Sequence, residues 1–156
     1  IEYKKLGFKG VVLDLRFGPG FHHRRVHELM ECAYTLGLIV WIHSDEKDSP
    51  LGIGSLENLI HKFPGIKYII SSMFRDVFYV VTKNKNMFID SAVFELSQDL
   101  TRLIHPIGAH RILMGSNTPE GMFKGEINKI MISPELSKYQ KKLILGENIQ
   151  RILNIL

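Results

Sequence analysis

Five short apolar runs, each followed by a stretch with helical spacing, constrain what this chain can fold into. The runs cover residues 10–15, 38–43, 66–70, 86–90 and 111–114. A run that is apolar throughout and bounded by turn residues is typical of a strand buried on both faces, as in parallel sheets. Parallel strands joined by helices need right-handed crossovers, so the sequence predicts the α/β class. No linker or repeat interrupts the alternation, which predicts a single α/β domain over residues 1–156.

The stretches between the runs carry apolar residues at helical spacing. In residues 22–36, Val26, Met30 and Ala33 share one face, and Gly37 follows where glycine is favoured after a helix. Segment 74–82 is ambiguous because its valines favour extended structure, but the strand before it needs a crossover, so we predict a helix. The other predicted helices run from Ser55 to Pro64, over residues 94–104 and 127–132, and from Pro134 to Leu145 with a further helical turn through Leu153.

Two architectures accommodate five strand-and-helix units. An open doubly wound sheet is complete with five strands, whereas an eight-stranded α/β barrel needs roughly 250 residues. The chain has 156 residues. Length alone therefore favours the open sheet.

Charge and hydropathy exclude several classes of protein. The net charge is +4, from 20 basic and 16 acidic residues, but the basic residues form no stripe with aromatic residues. We therefore expect no nucleic-acid partner. The longest uninterrupted apolar stretch, Leu38–Ile42 behind Gly37, is far below the roughly 20 residues of a membrane span, so we expect no membrane partner. The single cysteine, Cys32, allows no internal disulfide, which favours a cytoplasmic protein. Cys32 is predicted to pack within a helix.

Functional side chains are expected where the strands end, because both architectures place their sites at the carboxyl ends of parallel strands. His43 is the strongest candidate, since it directly ends an apolar strand. Its imidazole is interpreted as a metal ligand or general base, or alternatively as a simple cap of the strand end. Asp90 is interpreted as an acid or as a cap for the helix after it. The other polar residues at strand ends are Asp14, Arg16, Ser44, Asp45, Ser71, Ser72, Arg75, Ser91, Ser116 and Asn117.

Five segments along the chain follow the order of a known family. They are Phe8–Leu13 (FKGVVL), Ala33–His43 (AYTLGLIVWIH), Leu59–Lys67 (LIHKFPGIK), Arg111–Pro119 (RILMGSNTP) and Leu145–Leu153 (LGENIQRIL). In this order and spacing the chain resembles the amidohydrolase-related metal-dependent hydrolases. The resemblance implies strands four to eight of a (β/α)8 barrel, without the first three. It therefore favours a partial barrel over the open sheet.

The resemblance also implies a metal site. Members of that family hold a divalent metal, usually zinc, with a histidine pair on the first strand, a histidine on the fifth and an aspartate on the eighth. A histidine on the sixth strand assists the reaction. By this resemblance His43 is the fifth-strand metal ligand, zinc is the expected cofactor, and Ser72 and Asn117 occupy the catalytic positions on strands six and eight. Such a metal lowers the pKa of its bound water toward 7, which suits hydrolysis or decarboxylation.

Two departures from the family pattern weaken that site. Ser72 has no imidazole, and the amide of Asn117 neither neutralises a dication nor accepts a proton. Arg75 adds positive charge, which favours an anionic ligand. One hypothesis is a hydrolase or decarboxylase with a variant or lost metal site. The other is a non-catalytic relative that serves as a scaffold or binds an anionic small molecule through Arg16, His43 and Arg75, and whether the chain is an enzyme stays open.

A half barrel exposes two strand edges and leaves its inner face without an opposing layer. We therefore expect two kinds of partner. One is a small-molecule substrate or anionic ligand, and the other is a second copy or a further chain segment that covers the open half. A stand-alone open α/β binding domain is the alternative if the barrel resemblance is accidental.

Overall fold

The chain forms two compact units, Ile1–Met87 and Phe88–Leu156. The computed structural model describes residues 2–16, 20–43, 49–71, 77–93, 97–119 and 121–155. Both units alternate strands and helices, which confirms the α/β class. The single domain over residues 1–156 stays a prediction.

The first unit is built on three parallel strands. They are β1 (Gly10–Asp14), β2 (Ile39–His43) and β3 (Tyr68–Ser71), in the order β1-β2-β3. Its helices are α1 (Glu2–Lys5), α2 (Arg24–Leu36), α3 (Ser49–Lys62) and α4 (Val77–Lys83). Leu13 of β1 lies in register with Ile42 of β2, and both are buried. The apolar runs therefore form strands because they supply the core of this unit.

Local signals in the sequence set both ends of α2. The Nδ1 atom of His23 accepts a hydrogen bond from the backbone N–H of Arg25 at 3.2 Å, so His23 caps the helix start. Gly37 adopts a left-handed conformation with a φ of 60° at the other end. Its N–H bonds to the carbonyls of Ala33 and Tyr34, as expected for a glycine after a helix.

Among its described residues, the second unit contains two parallel strands and four helices. Its elements are β4 (Met87–Asp90), which begins at the boundary between the units, α5 (Ser97–Ile107), β5 (Ile112–Leu113), α6 (Phe123–Ile132), α7 (Lys138–Lys142) and α8 (Asn148–Leu153). Ile89 pairs with Ile112 and Asp90 with Leu113. Short 3-10 turns follow β4 at Ser91–Val93 and precede β5 at Ala109–Arg111, and a π turn, Leu143–Glu147, joins α7 to α8.

Asn148 fastens the last helix to the start of β5. Its side chain is fully buried, and its Nδ2 donates to the carbonyls of Ala109 at 2.8 Å and Ile112 at 2.7 Å. Its Oδ1 accepts from Arg151 at 2.8 Å, and Arg151 also donates to the carbonyl of His110 at 3.1 Å. The terminal segment LGENIQRIL therefore has a structural role in this chain.

All five predicted strands form, with ends within two residues of the prediction. The ambiguous segment contains helix α4, as predicted. Several details were wrong. Helix α5 ends at Ile107 rather than at residue 104, and α6 begins at Phe123 rather than at residue 127. Helix α3 begins at Ser49 rather than Ser55, and α7 begins at Lys138 rather than Pro134 because Ser137 and Gln140 form a capping box. Cys32 is exposed rather than packed. No helix in the described ranges is long and apolar enough to cross a membrane.

Candidate functional site

Three polar side chains lie next to each other where the strands of the first unit end. Asp14 of β1 is in register with His43 of β2, and His43 is in register with Ser71 of β3. Paired residues on parallel strands point to the same face of a sheet, so carboxylate, imidazole and hydroxyl form one row. Asp14 is exposed, His43 is half-buried and Ser71 is buried. This strand-end row of Asp14, His43 and Ser71 is the candidate site.

Arg16 holds the carboxylate of Asp14 in a two-point ion pair. Its Nε donates to Oδ1 at 3.0 Å and its Nη2 donates to Oδ2 at 2.7 Å. The backbone N–H of Arg16 also donates to Oδ1, at 3.1 Å. These contacts with Arg16, led by the side-chain hydrogen bonds, lower the pKa of Asp14 to about 2, and the neighbouring His43 acts in the same direction. Asp14 is therefore a fixed negative charge beside the imidazole at neutral pH.

An apolar row lies one layer below the strand-end row on the same face. It consists of Val12, Trp41 and Ile69, which are in register with each other. Ile69 is fully buried, Trp41 is half-buried and Val12 is 65% exposed. The indole Nε1 of Trp41 is buried and has no hydrogen-bond partner within the described residues. This face is therefore covered at β3 and open at β1.

Asp90 and Gly115 fit against each other at the strand ends of the second unit. Asp90 is 3% exposed, and its Oδ1 accepts from the backbone N–H of Ala92 at 2.9 Å. It therefore caps the 3-10 turn after β4, in line with one of its two interpretations. Gly115 leaves the space that this carboxylate occupies, because a Cβ there would overlap Oδ1 of Asp90. The N–H of Gly115 donates to Oγ of Ser91 at 3.2 Å.

A nearly buried ammonium group lies at the same strand end. The side chain of Lys129, on α6, is 9% exposed and pairs with Glu126 at 2.5 Å. Its Nζ also donates to the carbonyl of Ser91 at 3.0 Å. Sequence reasoning missed both residues, because a Lys and a Glu three positions apart on a helix are typical of a solvated face.

Asn117 shapes the turn that follows β5. It is exposed and has a φ of 49°, a left-handed conformation that asparagine tolerates better than most residues. Its carbonyl accepts from the N–H of Gly121 at 2.6 Å. Just before it, Oγ of Ser116 accepts from Oγ1 of Thr118 at 2.9 Å.

Solved structures match this fold over nearly the whole chain. A dihydroxybenzoic acid decarboxylase from Polaromonas sp. JS666, with bound manganese and the inhibitor 2-nitroresorcinol, has a TM-score of 0.77 at 16% identity, over 97% of this chain and 62% of that chain. A 5-carboxyvanillate decarboxylase from Sphingomonas paucimobilis has a TM-score of 0.75 at 14% identity, over 96% and 59%. A Staphylococcus aureus protein assigned as an amidohydrolase has a TM-score of 0.71 at 13% identity, over 97% and 66%.

The chain has the fold of the amidohydrolase-type barrels. It is a partial barrel with five parallel strands, and it spans about three fifths of the length of the two decarboxylases. At these identities the likeness shows the fold alone. No family model matches the chain, and no curated protein matches it. The order of segments in the sequence therefore predicted the architecture correctly, whereas the preference for an open sheet from length alone was wrong.

The amidohydrolase-type relatives raise the question of a metal. The Polaromonas structure contains manganese. Within the described residues of this chain, no group of three or more His, Cys, Asp or Glu side chains could hold a metal ion. Asn117 offers a neutral amide, and both carboxylate oxygens of Asp14 are engaged by Arg16. The donor set of the described residues therefore does not fit a divalent metal.

The predicted site residues fall into three groups. His43 and Arg16 lie at the strand ends of the first unit, joined through Asp14. Asn117 lies after the last strand of the second unit. Ser72 and Arg75, together with Ser44 and Asp45, lie outside the described residues.

Proposed function

We propose that this chain is the carboxyl-terminal part of an amidohydrolase-type hydrolase or decarboxylase that acts on a small carboxylic acid. The observation that carries the proposal is the strand-end row of Asp14, His43 and Ser71. Amidohydrolase-type barrels place their chemistry at the carboxyl ends of their strands. Two solved relatives are decarboxylases of aromatic acids by name, so an aromatic carboxylic acid is the first substrate class to test.

In this proposal His43 transfers the proton in the reaction. Histidine is the side chain best suited to exchange protons near neutral pH. Asp14 stands beside it as a fixed negative charge, and Arg16 keeps that carboxylate oriented. Ser72 and Asn117 are the family's catalytic positions, and Arg16 and Arg75 are the proposed contacts for the carboxylate of the substrate. Zinc, the metal implied by the resemblance, lacks a fitting donor set in the described residues, so no step is assigned to it.

The test is a turnover assay with 2,6-dihydroxybenzoate, measured as release of carbon dioxide, with and without added zinc or manganese. We expect His43→Ala to lower turnover by about 100-fold or more, the usual range for loss of a general acid or base. His61→Ala is the matched control, because His61 is an exposed histidine on α3. Equal turnover in wild type and His43→Ala would overturn the proposal.

The second candidate is a non-catalytic relative that binds an anionic small molecule. The neutral amide of Asn117 and the engagement of Asp14 by Arg16 favour it, because neither supports a metal. Titration calorimetry with 2,6-dihydroxybenzoate tests it. This candidate predicts binding without turnover, and weaker binding to Arg16→Gln and Arg75→Gln. Turnover in the assay above, or no heat of binding, would exclude it.

A further inference from the structure

A surface cleft of the second unit is lined by residues that the candidate site does not use. It has a volume of about 460 Å³, and its lining residues are Thr101, Arg102, His105 and Glu135. His105 is four residues from Thr101 and three from Arg102 on α5, so these side chains are neighbours on the helix surface. Glu135 forms the other wall, in the connection between α6 and α7. A volume of this size is within the range of small-molecule sites.

One hydrogen bond joins the two walls of the cleft. Oγ1 of Thr101 donates to Oε2 of Glu135 at 2.6 Å. A bond to a carboxylate is stronger than one between neutral groups, so it holds the exposed side chain of Glu135 in place. Among the hydrogen bonds of the described residues, Glu135 takes part in this one alone. Its Oε1 atom is therefore available to a ligand.

The α5 wall carries positive charge and hydrogen-bond donors. Arg102 is exposed, and its planar guanidinium has five N–H donors in a fork that fits a carboxylate. His105 is exposed beside it and offers at least one ring N–H. A carboxylate alone would be repelled by Glu135, and a cation alone would be repelled by Arg102. A ligand that satisfies both walls must therefore present a negative and a positive group close together.

We propose that this cleft binds the zwitterionic head of an α-amino acid. The carboxylate pairs with Arg102 and His105, and the ammonium group pairs with Oε1 of Glu135. An α-amino acid carries both groups on one carbon, which matches the opposite charges of the two walls. Thr101 is a positioning residue, because it acts on the ligand through Glu135. The proposal is independent of the proposed function, since no residue that lines the cleft belongs to the strand-end row.

The test is an NMR titration of the isotope-labelled protein with three probes. Glycine carries both charged groups, acetate carries only the carboxylate, and methylammonium carries only the ammonium group. We expect glycine to shift the amide signals of residues 101–105 and of Glu135 in a saturable way. Acetate and methylammonium should each bind about tenfold more weakly, because each loses one charge-assisted pair.

Two variants assign the two ends of the ligand. Arg102→Gln should weaken the binding of glycine about tenfold and reduce the preference for glycine over methylammonium, because the carboxylate loses its main partner. Glu135→Gln keeps an acceptor for Thr101 but loses the charge, so it should reduce the preference for glycine over acetate. Only a carboxylate at Arg102 and an ammonium group at Glu135 predict both changes.

Lys124→Gln is the matched control for these variants. Lys124 is exposed on α6 outside the cleft, and its substitution changes the net charge as Arg102→Gln does. This variant should bind glycine like wild type. The substituted side chains are exposed, so we expect each variant to keep the circular dichroism of wild type. No saturable shift with glycine, equal binding of glycine and acetate to wild type, or the same loss in Lys124→Gln would overturn the proposal.

Discussion

The carboxylate of Asp14 lies between His43 and Arg16 at the end of β1. It ends β1, stands in register with His43 and accepts three hydrogen bonds from Arg16. The sequence placed His43, Asp14 and Arg16 at strand ends because each directly follows an apolar run. It did not reveal that Arg16 engages Asp14, because two residues of separation allow an ion pair without requiring one.

The low pKa of Asp14 predicts a dependence of stability on pH. Its pKa is about 2 in the folded chain, against an ordinary value of 3.8, so the unfolded chain binds its proton first as pH falls. The stabilisation is therefore fully present above about pH 4 and is lost as pH falls through about 2. Because the side chain of Asp14 is 38% exposed, solvent screening keeps the contribution below about 1 kcal/mol.

The effect is measured by urea unfolding of wild type and Asp14→Asn at several pH values from about 6 down to about 2, which span the range in which the stabilisation is lost. We expect wild type to be the more stable at the upper limit and the two to converge at the lower one. Arg16→Gln should lose the same pH dependence. A difference between wild type and Asp14→Asn that is constant with pH would contradict the assignment.

Gly115 is predicted to be intolerant of any side chain. A Cβ there would overlap the buried carboxylate of Asp90, so Gly115→Ala should lower the free energy of unfolding by about 1–3 kcal/mol. Adding Asp90→Ala should recover part of that loss, because it removes the overlapping atoms. Gly54→Ala is the control, since Gly54 is exposed in α3 with open space around its Cβ position, and it should stabilise by about 0.5–1 kcal/mol. Equal effects at the two glycines would show that the overlap is relieved elsewhere.

Among the elements, strands were easier to predict than helix ends. The strands follow from apolar runs, whose burial the tertiary structure enforces. The start of α3 was missed because Pro50, Gly52 and Gly54 are poor helix formers. The start of α7 was readable, since Ser137 and Gln140 have the spacing of a capping box, but Pro134 gave a stronger local signal.

The attachment of α8 to β5 depends on one amide. Asn148→Asp removes the donor to two buried carbonyls, those of Ala109 and Ile112. We expect a loss of about 2–4 kcal/mol in the free energy of unfolding, because both acceptors lose their partner. Gln150→Glu makes the same chemical change at an exposed position of α8 and should have little effect. Chemical denaturation of the two variants side by side measures the difference, and a stable Asn148→Asp variant would contradict this role.

For the whole molecule, the order of its segments was more informative than its length. Five strand-and-helix units suit both an open sheet and part of a barrel, and length distinguishes these only when the chain is a complete domain. The five segments indicated the barrel because their order and spacing along the chain resemble those of the family's barrel. The conformation of the loops that follow the strands was beyond this reasoning, because it depends on contacts that periodicity does not report.

The ligand chemistry of the described residues predicts that a chelator leaves the stability of the chain unchanged. A metal that binds only the folded protein stabilises it by RT ln(1 + [metal]/Kd), so its removal lowers the unfolding midpoint. The described residues offer no group of three metal-ligating side chains. Thermal unfolding with and without EDTA, followed by circular dichroism, should therefore give the same midpoint. A lower midpoint in EDTA that zinc restores would show that other residues complete a site around His43.

Trp41 is the only tryptophan in the sequence, and it lies one layer below His43 on the same face of the sheet. Its position gives the molecule an intrinsic optical reporter at the place where the chemistry is proposed. Indole emission shifts with the polarity around the ring, so a ligand seated over the strand-end row should change the spectrum of unlabelled protein.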